Sequence, residues 1–531
     1  MGTVTSEDDP LALRGQLLRR LALADDELFI TMLWSLNALQ TGRGVRGREF
    51  FRSLPDGADT TGIQGNHAVY PWELETLGNE LLSTPKHRFY RIFDARGWGE
   101  IAGLVNLLRA LEGAEYSSRR DELSILREVG RIGARQFEWQ RGFRNIADVY
   151  RSAWIYGQGS CSDYFTETHG ITVGELVFIG FALLAVFVSQ PVLWPASNLQ
   201  ALRSVRITPD KMAKALNRIA LPISSLRELA LQMRRADGVI AYKPSVLRQF
   251  PCVLMGPGRR RLRAPLIDLI ASRVSSGLFY DIADGGGALR DEYGRRFESY
   301  VFQLLAHELP DLDLRKEWQY HVRGQRMITP DLIGHDRLQA ANLIIECKST
   351  RMSIDARYSE DPTGNRGYEE MAKGAAQIWR FVAHSRLGLT GCDISPAAVG
   401  LVLGLDDWFV VQHGLIQKVL DRAAVIASSM DSNITADDRC PIAFTSVAEI
   451  ERTLRTATVP SFLSAIETAA SKERQGWMFS MVHQDLTQAK VEPRPYPFAE
   501  RLAEIFPWWG ELLELSEPSS LDPTLPQLDP P

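Results

Sequence analysis

The stretch that decides the fold is Met327–Thr350, M-I-T-P-D-L-I-G-H-D-R-L-Q-A-A-N-L-I-I-E-C-K-S-T. Met327 to Ile333 reads as one strand. Gly334 to Ala341 is polar and carries a turn signal. Asn342 to Ser349 reads as a second strand, rich in branched apolar residues. Side chains alternate along a strand, so Glu346 and Lys348 share one face, while Leu343, Ile345 and Cys347 share the other and can be buried under helices. A hairpin-like pairing lays Asp331 beside Glu346. Two carboxylates and one ammonium then meet at one end of a sheet.

That set suits one task. Adjacent carboxylates repel, and a divalent cation relieves the repulsion. Mg²⁺ takes oxygen ligands and keeps several waters, so a few carboxylates and a substrate phosphate suffice. The ion polarises a phosphoryl oxygen and acidifies bound water. A lysine beside it orients that water or stabilises developing charge. The pattern is not a compositional accident. The chain has 10 lysines, and Lys348 alone has an acid two residues before it. A surface Glu–Lys pair is the plainer alternative. It is opposed by Leu343-Ile344-Ile345, which runs straight into Glu346 and marks a core strand.

Pro330-Asp331 and Glu346-Cys347-Lys348 together resemble the signature of the PD-(D/E)XK nuclease superfamily, the restriction-endonuclease-like fold. Two flanking features agree. Upstream, Phe297, Tyr300, Val301, Leu304 and Leu305 form the apolar face of a helix with Glu298 at its edge. This resembles the superfamily's first core helix, which often adds an acidic metal ligand. Downstream, Lys373 to Phe381 lies in the helix after the third strand. The exonuclease-like branch carries Q-x-x-x-Y there; Gln377 matches, and Phe381 replaces the tyrosine. The resemblance covers about residues 291–405. It implies Asp331, Glu346 and Glu298 as metal ligands, with the Cys347 carbonyl joining them. It implies Lys348 and Gln377 as catalytic groups, and Mg²⁺ as the cofactor with Mn²⁺ able to substitute. Its substrate class is DNA, with RNA as the alternative. By analogy with bacterial restriction and anti-phage effectors, a separate sensor or ATPase subunit is the expected partner. The rival from another class is a non-catalytic nucleic-acid-binding or assembly protein that kept the fold; the intact motif opposes it.

The surroundings set limits. The chain has 531 residues and a formal charge of -5, too long for one ordinary core and not a basic coat for nucleic acid. Five cysteines lie far apart without a CxxC, which fits a reducing cytoplasm. The acidic start is unlike a signal peptide. The apolar run Leu176–Val188 is too short for a membrane span and reads as a core helix. No Gly-Lys dipeptide occurs, so there is no Walker A loop. Gly42, Gly44 and Gly47 spell G-x-G-x-x-G without a preceding strand and read as a turn.

The expected architecture is multidomain α/β. Residues 1–245 form a mostly helical recognition or assembly region, with Thr208 capping a helix that opens at Pro209. Residues 246–290 are a transition with a basic cluster and a flexible joint at Asp284–Gly287. Residues 291–405 hold an α-β-β-β-α-β core with a mixed sheet. Residues 406–515 are an α/β extension, and 516–531 a Pro- and acid-rich disordered tail. Arg259, Arg260 and Arg261 before the core, and Arg351, Arg357 and Arg366 in the loop after Lys348, are the candidate nucleic-acid contacts. His321 and His335 read as structural.

Overall fold

Apolar residues at helical spacing build the first half of the chain. They give the helices Pro10–Ala22, Asp26–Gln40, Pro71–Ser83, Trp98–Ser117, Glu122–Arg141, Ile146–Tyr156 and Val173–Ser189. The computed structural model describes residues 9–59, 65–87, 90–117, 122–194, 207–233, 239–359, 362–409, 413–488 and 491–510; the expected tail lies outside them. Thr208 caps the helix Pro209–Ile219 through its hydroxyl, which accepts from Lys211 N at 3.3 Å. The Val173–Ser189 helix buries Leu176, Ile179, Leu183 and Phe187 in the main core. Among the described residues no single helix is long and apolar enough to cross a membrane. Gly44 begins the helix Gly44–Phe50, so only the first part of the triple-glycine motif is a turn. Gly47 is required there, because a Cβ would stand 2.7 Å from the Ser35 carbonyl.

Three short strands, β1 (Ala220–Pro222), β2 (Cys252–Met255) and β3 (Arg261–Arg263), form a small sheet in the order β1-β2-β3. Among the described residues seven strands follow: β4 (Asp313–Lys316), β5 (Gln319–Val322), β6 (Gln325–Ile328), β7 (Leu332–His335), β8 (Ala341–Lys348), β9 (Ile394–Gly404) and β10 (Ile442–Ser446). β5 and β6 pair as a hairpin, and the others form a mixed sheet in the order β10-β9-β8-β7-β4. β8 lies at its centre, antiparallel to β7 and parallel to β9. Its apolar run explains this place, since a central strand is covered on both faces. On one face Leu343, Ile345 and Cys347 join Phe297, Tyr300 and Val301 of the helix Gly287–Glu308. On the other, Ile344 joins Ala375, Ile378 and Phe381 of the helix Arg366–Arg386.

Two expectations are corrected. Met327–Ile333 is not one strand. It divides at Pro330, which lacks the N–H that a ladder needs, into β6 and β7. The Thr329 amide still donates to the Trp318 carbonyl at 3.1 Å, and the Glu317 amide to the Asp331 carbonyl at 2.9 Å. β4–β5 and β6–β7 therefore make one long hairpin bent at the proline. The segment 284–287 is not a free joint. It passes from the helix Leu278–Ala283 directly into Gly287–Glu308, with Gly285 packed against Leu289 and Tyr164. One apolar cluster runs from Trp34 through Leu343 to Phe506, joining the first, middle and last parts of the chain.

Candidate active site

The β7–β8 register decides where the motif falls. Leu332 pairs with Ile345 and Ile333 with Ile344, so Asp331 stands opposite Glu346, as the alternation requires. β7 begins only at Leu332, so its ladder does not reach the Cys347 amide. The Asp331 side chain takes over: its Oδ2 accepts from Cys347 N at 2.6 Å. Two residues along, Lys348 Nζ donates to Glu346 Oε1 and to Gln377 Oε1, both at 2.8 Å. The site thus joins β7, β8 and the helix Arg366–Arg386. That helix comes close because residue 374 is glycine; a Cβ there would lie 3.0 Å from Lys348 Cε and 3.2 Å from Val402.

Glu298 approaches from the opposite helix. It is half-buried beside Phe297, and its carboxyl is pushed up to about 7, first by burial and then by the Glu317 and Glu346 carboxylates. Asp331 is held well above the usual carboxylate range by burial and by Glu346 and Glu298, against the pull of the Cys347 amide and Lys348. Burial draws the Lys348 ammonium down, but Glu346 and Asp331 outweigh it and hold it above its ordinary value. The Cys347 thiol faces the core and is raised far above its normal range, chiefly by burial, so it is inert as a nucleophile. Three carboxyl groups share one ammonium, so ionising all three leaves more negative charge than Lys348 balances.

Glu317 and Glu370 are the residues that sequence reading missed. Glu317 is exposed and sits opposite Asp331 in the bent hairpin, where it acts on Glu298. Glu370 bears on Lys348 from one turn before Gly374. The signal for Glu317 lay in the pairing of β4 with β7, which needs a partner strand that Met327–Thr350 does not contain. Phe381 is buried against Trp318 and provides packing. His335 is buried at the far end of β7, against Cys392, and His321 is exposed on β5.

The arginines divide differently from expectation. Arg261 is not a free contact; it clamps Glu27 bidentately at 2.7 and 2.5 Å, and Arg263 shares that acid. Arg351 pairs with Asp406 at 2.8 Å and donates to the Ser276 carbonyl, while Arg357 pairs with Glu138 at 2.9 Å. Partners distant in sequence have claimed these three. Arg260 and Arg366 are exposed. The backbone of Arg259 lies in the turn between β2 and β3.

Carboxylate oxygens are the donors that a hard cation takes, and the surplus charge of Asp331, Glu346 and Glu298 fits one. No three His, Cys, Asp or Glu side chains among the described residues form a ready-made metal cage; Lys348 is the cation that the carboxylates hold. No family model, curated protein or solved structure matches this chain.

Proposed function

We propose that the chain is a Mg²⁺-dependent nuclease of the PD-(D/E)XK type that hydrolyses phosphodiester bonds in DNA. The observation that carries this reading is the meeting of Asp331, Glu346, Lys348 and Gln377 at one end of β8, with Glu298 facing them from the other helix. The succession of helix, β4, β7, β8, helix and β9 supports a restriction-endonuclease-like core.

Asp331, Glu346 and Glu298 would hold the cation, with the Cys347 carbonyl beside them. When bound, Mg²⁺ or Mn²⁺ supplies Lewis-acid polarisation of the phosphate and an acidified water. Lys348 has three N–H donors. Two go to Glu346 and Gln377, and the third is available to a phosphoryl oxygen or to the attacking water. Gln377 fixes the direction of the ammonium, and Asp331 ties the end of β7 to β8 so that the carboxylates stay in register.

The test is incubation of the full chain with plasmid, single-stranded DNA and RNA, each with Mg²⁺, Mn²⁺ or EDTA. Cleavage of DNA with either metal and none in EDTA is expected. Cleavage of RNA alone would move the substrate class, and metal-independent cleavage or none would overturn the reading.

A further inference from the structure

A cleft of about 650 Å³ opens between the helices Glu122–Arg141 and Ile146–Tyr156 and the C-terminal ends of β8, β9 and β10. None of Asp331, Glu346, Lys348, Gln377 or Glu298 lines it. Its volume is that of a small-molecule site, and the C-terminal ends of parallel strands are where open α/β sheets take ligands.

The lining holds seven arginines and five carboxylates. All five acids are already matched: Glu138 with Arg357, Asp148 and Glu451 with Arg151, Asp406 with Arg351, and Asp407 with Arg141. Two further arginines pair with acids outside the lining, Arg144 with Asp268 at 2.8 Å and Arg452 with Glu449 at 3.3 Å, which leaves Arg455 without an acid partner among the described residues and part of Arg141 unsatisfied. Arg141 Nε and Nη2 are buried without a hydrogen bond among the described residues, although Nη2 stands within ion-pair reach of Glu449 at 3.6 Å. The Tyr156 hydroxyl is also orphaned, although that side chain is only 1% exposed. Buried polar groups are nearly always paired, so these atoms mark where a ligand's acceptors belong.

The helices Ile146–Tyr156 and Val447–Leu454 both begin on the cleft, and helix N-termini favour anions. Arg455 stands exposed on the lining, and Arg452, also exposed, pairs with the buried Glu449. One wall is different. Gly130, Gly133 and Ala134 leave little side chain on the helix face, with Phe137 a turn further on and Phe143 beyond it. Phe137 lies over Gly133, and with Ala134 and Phe143 it gives the cleft an apolar wall beside the arginines.

We infer that this cleft binds a nucleoside polyphosphate, with its phosphates on the Arg141–Tyr156 side and its base along the glycine and phenylalanine wall. The site is separate from the proposed nuclease centre and does not depend on it.

The experiment is calorimetric and thermal-shift titration of the full chain with ATP, GTP, CTP and UTP, beside inorganic tripolyphosphate and the free nucleosides. At least one nucleoside triphosphate should bind and raise the melting temperature, tripolyphosphate should bind more weakly, and nucleosides should not bind. Tyr156→Phe should weaken binding about tenfold, the size of one lost hydrogen bond. It should leave the ligand-free melting temperature level or higher, because it removes an orphaned hydroxyl. Arg455→Glu, at an exposed position whose guanidinium donates only to the Arg494 carbonyl among the described residues, should weaken binding by a similar factor. The double variant Glu346→Gln/Lys348→Met should bind as tightly as the parent. The inference is overturned if no triphosphate binds at millimolar concentration. It is also overturned if Tyr156→Phe binds at parental affinity, or if the double variant loses binding, which would put the ligand at the carboxylate cluster.

Discussion

Lys348 holds a buried ion pair, and in the proposed nuclease it would also serve the chemistry. Its position at a strand end suggests a side chain in water, yet only 12% of the side chain is exposed, and 5% of that of Glu346. Removing one member of a buried ion pair leaves the other charge uncompensated and costs about 3–5 kcal/mol, whereas removing both with shape kept is often near neutral. Lys348→Met should therefore lower stability by that order and abolish cleavage, since loss of a group that stabilises transition-state charge costs about 10²–10³ in rate. Glu346→Gln/Lys348→Met should regain most of the stability and none of the activity. Denaturant melts beside a plasmid assay separate the two roles. A single variant that melts like the parent would contradict the buried pair, and a double variant that cuts would contradict the catalytic assignment.

At the scale of elements, the site depends on how closely the helix Arg366–Arg386 approaches β8. In Gly374→Ala the new Cβ would meet Lys348 Cε at 3.0 Å and Val402 at 3.2 Å. Alanine gains about 1 kcal/mol of helix propensity over glycine, and crowding costs a similar amount or more. Net stability should change by about 1 kcal/mol or less. Cleavage should fall about tenfold to a hundredfold as the ammonium is displaced. A circular-dichroism melt and the same plasmid assay check both, and parental cleavage would show that the lysine stem simply moves aside. The motif itself was legible in the sequence, because strand alternation is local and fixes which of Asp331, Glu346 and Lys348 share a face. The helices on either side were legible too, from their apolar periodicity. The bend at Pro330 had its signal in the proline, but the branched residues around it read as one run. Glu317 was hidden because its place depends on the register of a second strand.

At the scale of the whole molecule, the helical first half is tied to the sheet by ion pairs that cross hundreds of residues. Arg151 meets Glu451, Arg141 meets Asp407, and Glu138 is clamped between Arg248 and Arg357. This is why the arginine loops misled the sequence reading. A guanidinium near a candidate site looks free until its partner is placed, and the partners of Arg261 and Arg357 lie 234 and 219 residues away. Glu138 gives the tie a pH dependence. Burial alone would raise its carboxyl, but Arg357 and Arg248 outweigh burial and bring it from the ordinary 4.5 to about 2. A depressed folded-state value means that the unfolded chain takes up the proton first. The stabilisation is thus complete above pH 4.5 and is lost as pH falls from there to about 2. The full shift would correspond to about 3 kcal/mol. With 31% of the side chain in water, screening reduces this to about 1–2 kcal/mol. Glu138→Gln should therefore be less stable than the parent at pH 7 by that amount, and the gap should close as both are acidified towards pH 2. Melting temperatures of the two proteins from pH 7 to pH 2 check this. A gap that stays constant across that range would mean that Glu138 contributes by packing and not by its charge.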